Sequence, residues 1–291
     1  MSIRLDSNTL KLLRIPFSFF LMPVYILALS QARDINLFNI ITGFLIIHLL
    51  VYPASNGYNS YIDKDESPIG GLEKPPLPTK ALFYLTLLMD VLAVGLAFLF
   101  INKQFSFCIL AYILASRAYS SKQIRLKKYP IIGFMIVVFF QGAFTFFMCT
   151  VGISNTSFSF TSANLFILLA CSLQIAGAYP LTQIYQHKED VAAGVFTLSY
   201  KLGLKGTFLF TACMFAICNV FYYLYFSGIN QTNHFYILQI FFIPIIVFFI
   251  FWFIKVIKNK SEANFKNTMK MNKVAALCMN SCFTLLTILN H

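Results

Sequence analysis

Asn59, Asp63, Asp65 and Glu66 fall within one polar stretch, Asn56 to Pro68, directly after an apolar run. Three of the ten carboxylates of the chain lie there. Asn59 and Asp63 are four residues apart and Glu66 is three further on, so on a continuing helix all three share one face. Carboxylates at the end of a membrane helix are unfavourable unless a cation holds them. Mg2+ is the natural candidate, because it takes oxygen ligands and binds through one or two carboxylates plus substrate phosphates. A second stretch, Gln183 to Asp190, follows another apolar run. There Gln186 and Asp190 repeat the amide-then-acid spacing, Glu189 adds a carboxylate and Gln183 an amide. Two such clusters facing one another would hold a phosphorylated substrate through metal ions. A solvated loop of ordinary charges accounts for either stretch alone, and less well for both at equivalent places.

A third segment, Tyr119 to Lys128, mixes Arg and Lys with Tyr and Ser hydroxyls. That mixture makes a phosphate clamp. Arg125 and Lys127 are its candidates, whereas Lys122 and Lys128 read as topology charges.

The elements that must position these residues are membrane helices. The chain is 58% hydrophobic and 11% charged, against about 25% charged in a soluble domain. The formal net charge is +12, and the basic residues sit in short loops between apolar spans. That pattern suits membrane orientation and argues against nucleic acid. The seven cysteines lie in apolar runs without a C-x-x-C pair, as small packing residues rather than a zinc site or disulfide framework. No small-residue cleavage site follows the first apolar segment, so it reads as a retained helix.

Nine spans are expected, near 15–31, 37–55, 80–101, 105–118, 130–152, 162–182, 206–227, 235–254 and 273–290. They form an all-α, polytopic bundle, one domain over residues 1–291. Alternate connections carry 20 of the 22 Lys and Arg, leaving Arg33 and Lys103 for the other side. The N-terminus and both polar stretches are then cytoplasmic and His291 lies outside. Asn59 and Gln186 are 127 residues apart, about four helices, which suggests two four-helix halves plus a last helix. Repeats of this kind place a site between halves. Asp90 is an intramembrane acid, either functional or hydrogen-bonded to a neighbour. Gln141 and Gln174 read as interhelical hydrogen-bond formers. His48 would share the face of Asn59 did Pro53 not intervene, and a packing role suits it better. Pro53 and Pro180 read as devices that open helix ends.

These residues resemble the UbiA-type intramembrane prenyltransferases. Members of that family are nine-helix bundles with a first motif N-x-x-x-D-x-x-x-D and a second close to D-x-x-x-D, after the second and sixth helices. The resemblance covers nearly the whole chain. It carries over to Asn59 and Asp63, to Tyr119-Ser120 with Arg125-Leu126-Lys127, and to Asp190-x-x-x-Gly194 running on to Leu202-Gly203. Two positions depart from it: Ser67 stands for the last Asp of the first motif and Gln186 for the first Asp of the second. Asp65 and Glu66 lie close enough to substitute.

The resemblance implies an integral membrane prenyltransferase of the bacterial inner membrane, moving an isoprenoid chain from a prenyl diphosphate to an aromatic or lipid-like acceptor. It implies Asp63 and Asp190 as catalytic carboxylates and Asp63, Asp65, Glu66, Glu189 and Asp190 as Mg2+ ligands. Asn59, Tyr119, Arg125, Lys127, Gln183 and Gln186 are then substrate-binding. The alternative is a catalytically impaired member acting as a lipid-binding protein or transporter, for which Gln186, Ser67 and Asp90 speak. The topology has a direct test. With the native cysteines removed, Ser67→Cys and Asn155→Cys should react with impermeant thiol reagents from opposite sides of the membrane. Labelling of both from one side refutes the assignment.

Overall fold

The structure is a computed structural model and describes residues 6–291; Arg4, counted above among the cytoplasmic charges, lies outside them. The chain is helical. Helix α1 spans Ser7–Leu12 and α2 spans Met22–Gln31, with a 3-10 turn at Ile15–Phe20 between them. Then come α3 (Leu37–Asp63), α4 (Lys80–Phe100) and α5 (Lys103–Ser120). Helix α6 spans Pro130–Ile153 and α7 Ser162–Leu181. The short α8 (His187–Ala192) precedes α9 (Leu198–Gly228), α10 (Thr232–Lys258) and α11 (Phe265–Asn290).

Among the described residues seven helices are long and apolar enough to cross a membrane, or eight if the bent pair Ser7–Phe20 and Met22–Gln31 is one span. The remaining expected span is α5, a helix of 18 residues that carries Lys103 and Arg117. The protein is thus a multi-pass membrane bundle of the expected kind.

Local chemistry starts the helices. Asn36, Asn102, Thr161, Thr197 and Asn264 each accept a backbone N–H in the first turn that follows. Pro53 donates no hydrogen bond, and the backbone just before it widens into a π turn over Ile46–Val51. Beyond it α3 continues to Asp63, eight residues past the expected end at 55. Pro180 falls one residue before the end of α7. Helix α11 likewise begins before its expected start, at Phe265.

The chain divides into two compact units. The first comprises residues up to Phe19, Ala32–Lys127 and Met148–Ser157; the second comprises Phe20–Gln31, Lys128–Phe147 and Phe158–His291. In the first unit Leu12, Leu13, Ala54, Leu82 and Met89 form a buried apolar cluster that joins α1, α3 and α4. Gly57 permits the close approach: a Cβ there would meet Thr86 Cγ2 at 2.9 Å and Leu13 Cδ2 at 3.0 Å. In the second unit Gly142 lies against α7, where a Cβ would sit 2.5 Å from the Cα of Ser172. Gln174 does join two helices, accepting a 2.6 Å hydrogen bond from the buried Tyr222 hydroxyl.

Asp90 finds a partner within its own unit. Arg117 of α5 donates to its carboxylate through Nε at 2.8 Å and also through Nη2. Nη2 reaches the Thr86 carbonyl as well, at 3.3 Å. The guanidinium lies 4.0 Å from the centroid of the Tyr58 ring, a cation–π contact. The pair fastens α4 to α5, and through Tyr58 to α3. Both side chains are more than four-fifths buried, so removing one leaves the other charge unpaired. Arg117→Met should lower stability by about 3 kcal/mol, while Asp90→Leu with Arg117→Met should recover most of that loss. Thermal unfolding of detergent-purified protein measures both, and equal losses in the single and double variants would refute a structural pair.

Candidate active site

The first polar stretch is built on the last turns of α3. Asn59 and Asp63 are helical there and share a face. Lys64 adopts a left-handed conformation (φ 54°, ψ 42°) and ends the helix. Asp65 and Glu66 therefore lie beyond it, and Glu66 does not share the face of Asn59 and Asp63. The expected three-residue face is reduced to two, because the chain turns away at Lys64. Asp65 is half-buried and Glu66 is exposed. Burial pushes the Asp65 carboxyl above its ordinary range, helped by the Asp63 charge and opposed by Lys127 and Arg14.

Loop residues after α5 come back onto this face. Lys127 Nζ forms an ion pair with Asp63 Oδ2 and donates to Asn59 Oδ1 at 3.4 Å. Ser120 Oγ donates to the same Asn59 oxygen at 2.8 Å. Asp63 Oδ1 is buried with no hydrogen-bond partner, and so is Arg125 Nε. Arg125 holds a positive φ of 46°, a strained conformation that a functional site tolerates. Lys122 and Lys128 are exposed, whereas Arg125 and Lys127 are half-buried. Tyr119 is half-buried in the final turn of α5. Asn59, Asp63 and Lys127 are thus brought together within the first unit.

The second stretch folds as a turn at 182–186 followed by α8. Gln186 O accepts from Asp190 N at 2.9 Å, and Asp190 O accepts from Val195 N at 2.7 Å. Gly194, at φ +69°, makes the turn between them and α9. Gln183 is buried with its Oε1 unpartnered. Asp190 and Gln186 are half-buried and Glu189 is exposed.

Among the described residues no three His, Cys, Asp or Glu side chains gather to hold a metal by themselves. Within the first unit the unpartnered Asp63 oxygen nevertheless suits a hard cation, in the way Mg2+ uses one or two protein oxygens and takes the rest from water and phosphate. An oxygen donor of this kind fits Mg2+ and does not fit a soft metal.

Three contributors escaped the sequence reading. Arg117 counted only as a topology charge. It could have been found by hairpin arithmetic: Asp90 is 10 residues before the end of α4 and Arg117 is 14 after the start of α5, so their depths differ by roughly 6 Å. Arg14 carries no motif, yet it donates to the Gly70 and Asn56 carbonyls at 3.2 Å each and so ties the first polar stretch down. His187 is the third. Its Nε2 lies 2.8 Å from Ser199 Oγ, which lies 3.1 Å from Thr207 Oγ1. This hydroxyl chain latches α8 to the start of α9, where Gly203 breaks the helix at φ +65°. No periodicity in the sequence announces it.

The fold is a membrane-spanning helical bundle with an amide and a carboxylate at one helix end, both held by a loop cation. The chain belongs to the UbiA prenyltransferase family, whose family model matches residues 19–274. It is a membrane prenyltransferase. No curated protein matches the sequence. Among solved structures it is similar to a UbiA homolog from Archaeoglobus fulgidus bound to GPP and Mg2+, at 16% identity and a TM-score of 0.71, covering 97% of this chain and 100% of that one. It is also similar to a digeranylgeranylglyceryl phosphate synthase, at 18% identity, a TM-score of 0.59 and coverage of 97% and 96%. A UbiA homolog from Aeropyrum pernix K1, solved in the apo form, matches at 15% identity and a TM-score of 0.67, covering 93% and 97%.

The His187 latch has a pH signature. Burial holds its imidazole below the ordinary range. The unfolded chain takes up this proton near pH 6.5 while the folded protein resists it, so protonation favours unfolding and stability falls as pH drops below about 6.5. Thermal midpoints measured between about pH 7.5 and 5.5 should fall more for wild type than for His187→Gln. Equal slopes would show that the latch does not govern this transition.

Proposed function

We propose that the chain transfers the isoprenoid group of a prenyl diphosphate to a nucleophilic acceptor, aromatic or lipid-like, at the cytoplasmic face of a bacterial inner membrane. The observation that carries this reading is the Asn59–Asp63 pair at the end of α3, with Lys127 on it and Arg125 Nε unpartnered in the same loop. Family membership supports it, as does the likeness to a homolog solved with GPP and Mg2+. The division of 20 of the 22 Lys and Arg to one side supports the orientation. Residues 1–291 act as one prenyltransferase domain in this reading.

Asp63, Asp65, Glu66, Glu189 and Asp190 are the proposed Mg2+ ligands, with Asp63 and Asp190 the essential pair. Bound Mg2+ supplies charge neutralisation that makes diphosphate a better leaving group. Arg125, with its planar fork, and Lys127, with its point charge, hold phosphate oxygens as negative charge builds on them. Asn59, Gln183 and Gln186 present amide groups and Tyr119 a hydroxyl for orienting the substrate. The allylic C–O bond then ionises, and the acceptor captures the carbon centre that remains. Apolar helices keep water from competing for it.

Gln186 gives the sharpest test, because an amide ligates weakly where a carboxylate ligates well. Gln186→Asp should lower the Mg2+ concentration that half-saturates diphosphate binding. Asp190→Asn should raise it by ~10-fold or more, the scale on which lost partners weaken metal sites. Titration of Mg2+ against binding of a labelled prenyl diphosphate reads both. If neither variant changes the Mg2+ dependence, the second stretch is not a metal site and the reading fails with it.

A further inference from the structure

The ammonium of Lys127 occupies an unusual place for a substrate-binding group. Both of its hydrogen-bonding contacts are to proposed ligands of the metal and substrate, Asp63 and Asn59. The Lys127 side chain is 11% exposed and that of Asp63 9%. A carboxylate so enclosed is strongly destabilised unless a cation accompanies it. In the protein without substrate that cation is Lys127, since the neighbouring Lys64 is exposed at the helix cap. Asp63 Oδ1 stays unpartnered while Oδ2 is held. Asn59 Oδ1 already accepts from Ser120 as well as Lys127. The oxygens that suit a divalent cation are therefore partly occupied by donors from the protein itself.

We propose that Lys127 is an exchangeable counter-ion: it holds Asp63 in the free protein, yields that carboxylate to Mg2+, and passes to the diphosphate when both arrive. This inference rests on the function proposed above and adds to it an order of binding. Mg2+ arriving alone must displace the ammonium from Asp63, leaving it the long contact to the neutral Asn59 oxygen in place of a directly paired carboxylate. Mg2+ arriving with diphosphate gives the ammonium phosphate oxygens in place of the carboxylate. The displaced interaction is replaced only in the second case, so metal and diphosphate each promote binding of the other. A lysine suits the task, because its ammonium is a compact charge on a flexible stem that reaches two acceptors in turn. An arginine would grip the carboxylate through two parallel hydrogen bonds and let go less readily. The exchange also keeps the site electrically balanced at both stages, so no step leaves Asp63 buried and bare.

The opposing view is a fixed structural ion pair, in which removing Lys127 weakens the site for every ligand. The two views differ in the sign of one measurement. Purified full-length protein is titrated with Mg2+ alone, with inorganic diphosphate alone and with both, by calorimetry, for wild type, Lys127→Gln and Lys127→Arg. The exchange requires Lys127→Gln to bind Mg2+ alone about tenfold more tightly than wild type, and to lose most of the mutual enhancement between Mg2+ and diphosphate. It requires Lys127→Arg to bind Mg2+ alone more weakly than wild type. Unchanged or weaker Mg2+ binding in Lys127→Gln overturns it. Should that variant fold poorly, unchanged or tighter Mg2+ binding in Lys127→Arg overturns it instead. Wild type that takes up Mg2+ and diphosphate together, with variants that fail these signs, refutes the exchange alone. Wild type that takes up neither refutes the proposed function as well.

Discussion

A carboxylate next to the apolar part of a membrane cannot stay charged without a cation at hand, and the first unit is arranged around that constraint. Among the described residues two of its carboxylates form ion pairs, each with its own cation. Asp90 has Arg117, and Asp63 has Lys127. Both cations come from α5 or the loop after it, so one helix serves both acids. The contacts then run on from one pair to the other. Arg117 lies over the ring of Tyr58, the residue before Asn59. Ser120, one turn after Arg117, donates to Asn59. Lys127 closes the sequence on Asn59 and Asp63. Charge pairing thereby sets the position of α3 relative to α4 and α5, and the apolar cluster around Leu82 and Ala54 fills the space beside it.

The second unit meets its polar demands with neutral groups. Tyr222 donates to Gln174, Thr211 to the Gly177 carbonyl and the Cys218 thiol to the Ala170 carbonyl, so buried hydrogen bonds join α7 to α9 at three levels. His187, Ser199 and Thr207 continue the same style at the polar end. Burial lowers the imidazole's affinity for a proton, which keeps that chain neutral as well. An amide at Gln186 is consistent with this environment. The first stretch brings a cation to its acid, and the second lowers the number of acids.

Periodicity and charge made the helices legible, and their residue types made the two polar stretches stand out. The helix order appears in the structure as the sequence has it, and Arg125 and Lys127 are half-buried where Lys122 and Lys128 are exposed. What was not legible depended on backbone detail. The π turn before Pro53 lets α3 run on to Asp63, although hydropathy alone ends it near residue 55. The left-handed Lys64 removes Glu66 from the motif face, and nothing in its residue type requires that conformation. Long-range polar partners were the other gap. Arg14 with Asn56 and Gly70, and His187 with Ser199, join positions whose separations match no helical or strand period.

The left-handed turn at Lys64 also changes the meaning of Ser67. On an uninterrupted helix a residue four past Asp63 would lie beside it, and a serine there would delete a carboxylate from the face. The helix ends first, so position 67 is not the helical neighbour of Asp63. Asp65 is the carboxylate near it: half-buried, with its carboxyl pushed above the ordinary range by burial first and the Asp63 charge second, and drawn back by Lys127 and Arg14. A carboxylate thus persists near Asp63, two positions earlier than the family spelling places it. The same turn reduces the charge that the stretch must have balanced. With Glu66 exposed and Ser67 uncharged, Asp63 and Asp65 are the enclosed carboxylates of the stretch; Lys127 pairs with the first directly, and Lys127 and Arg14 act on the second through their fields.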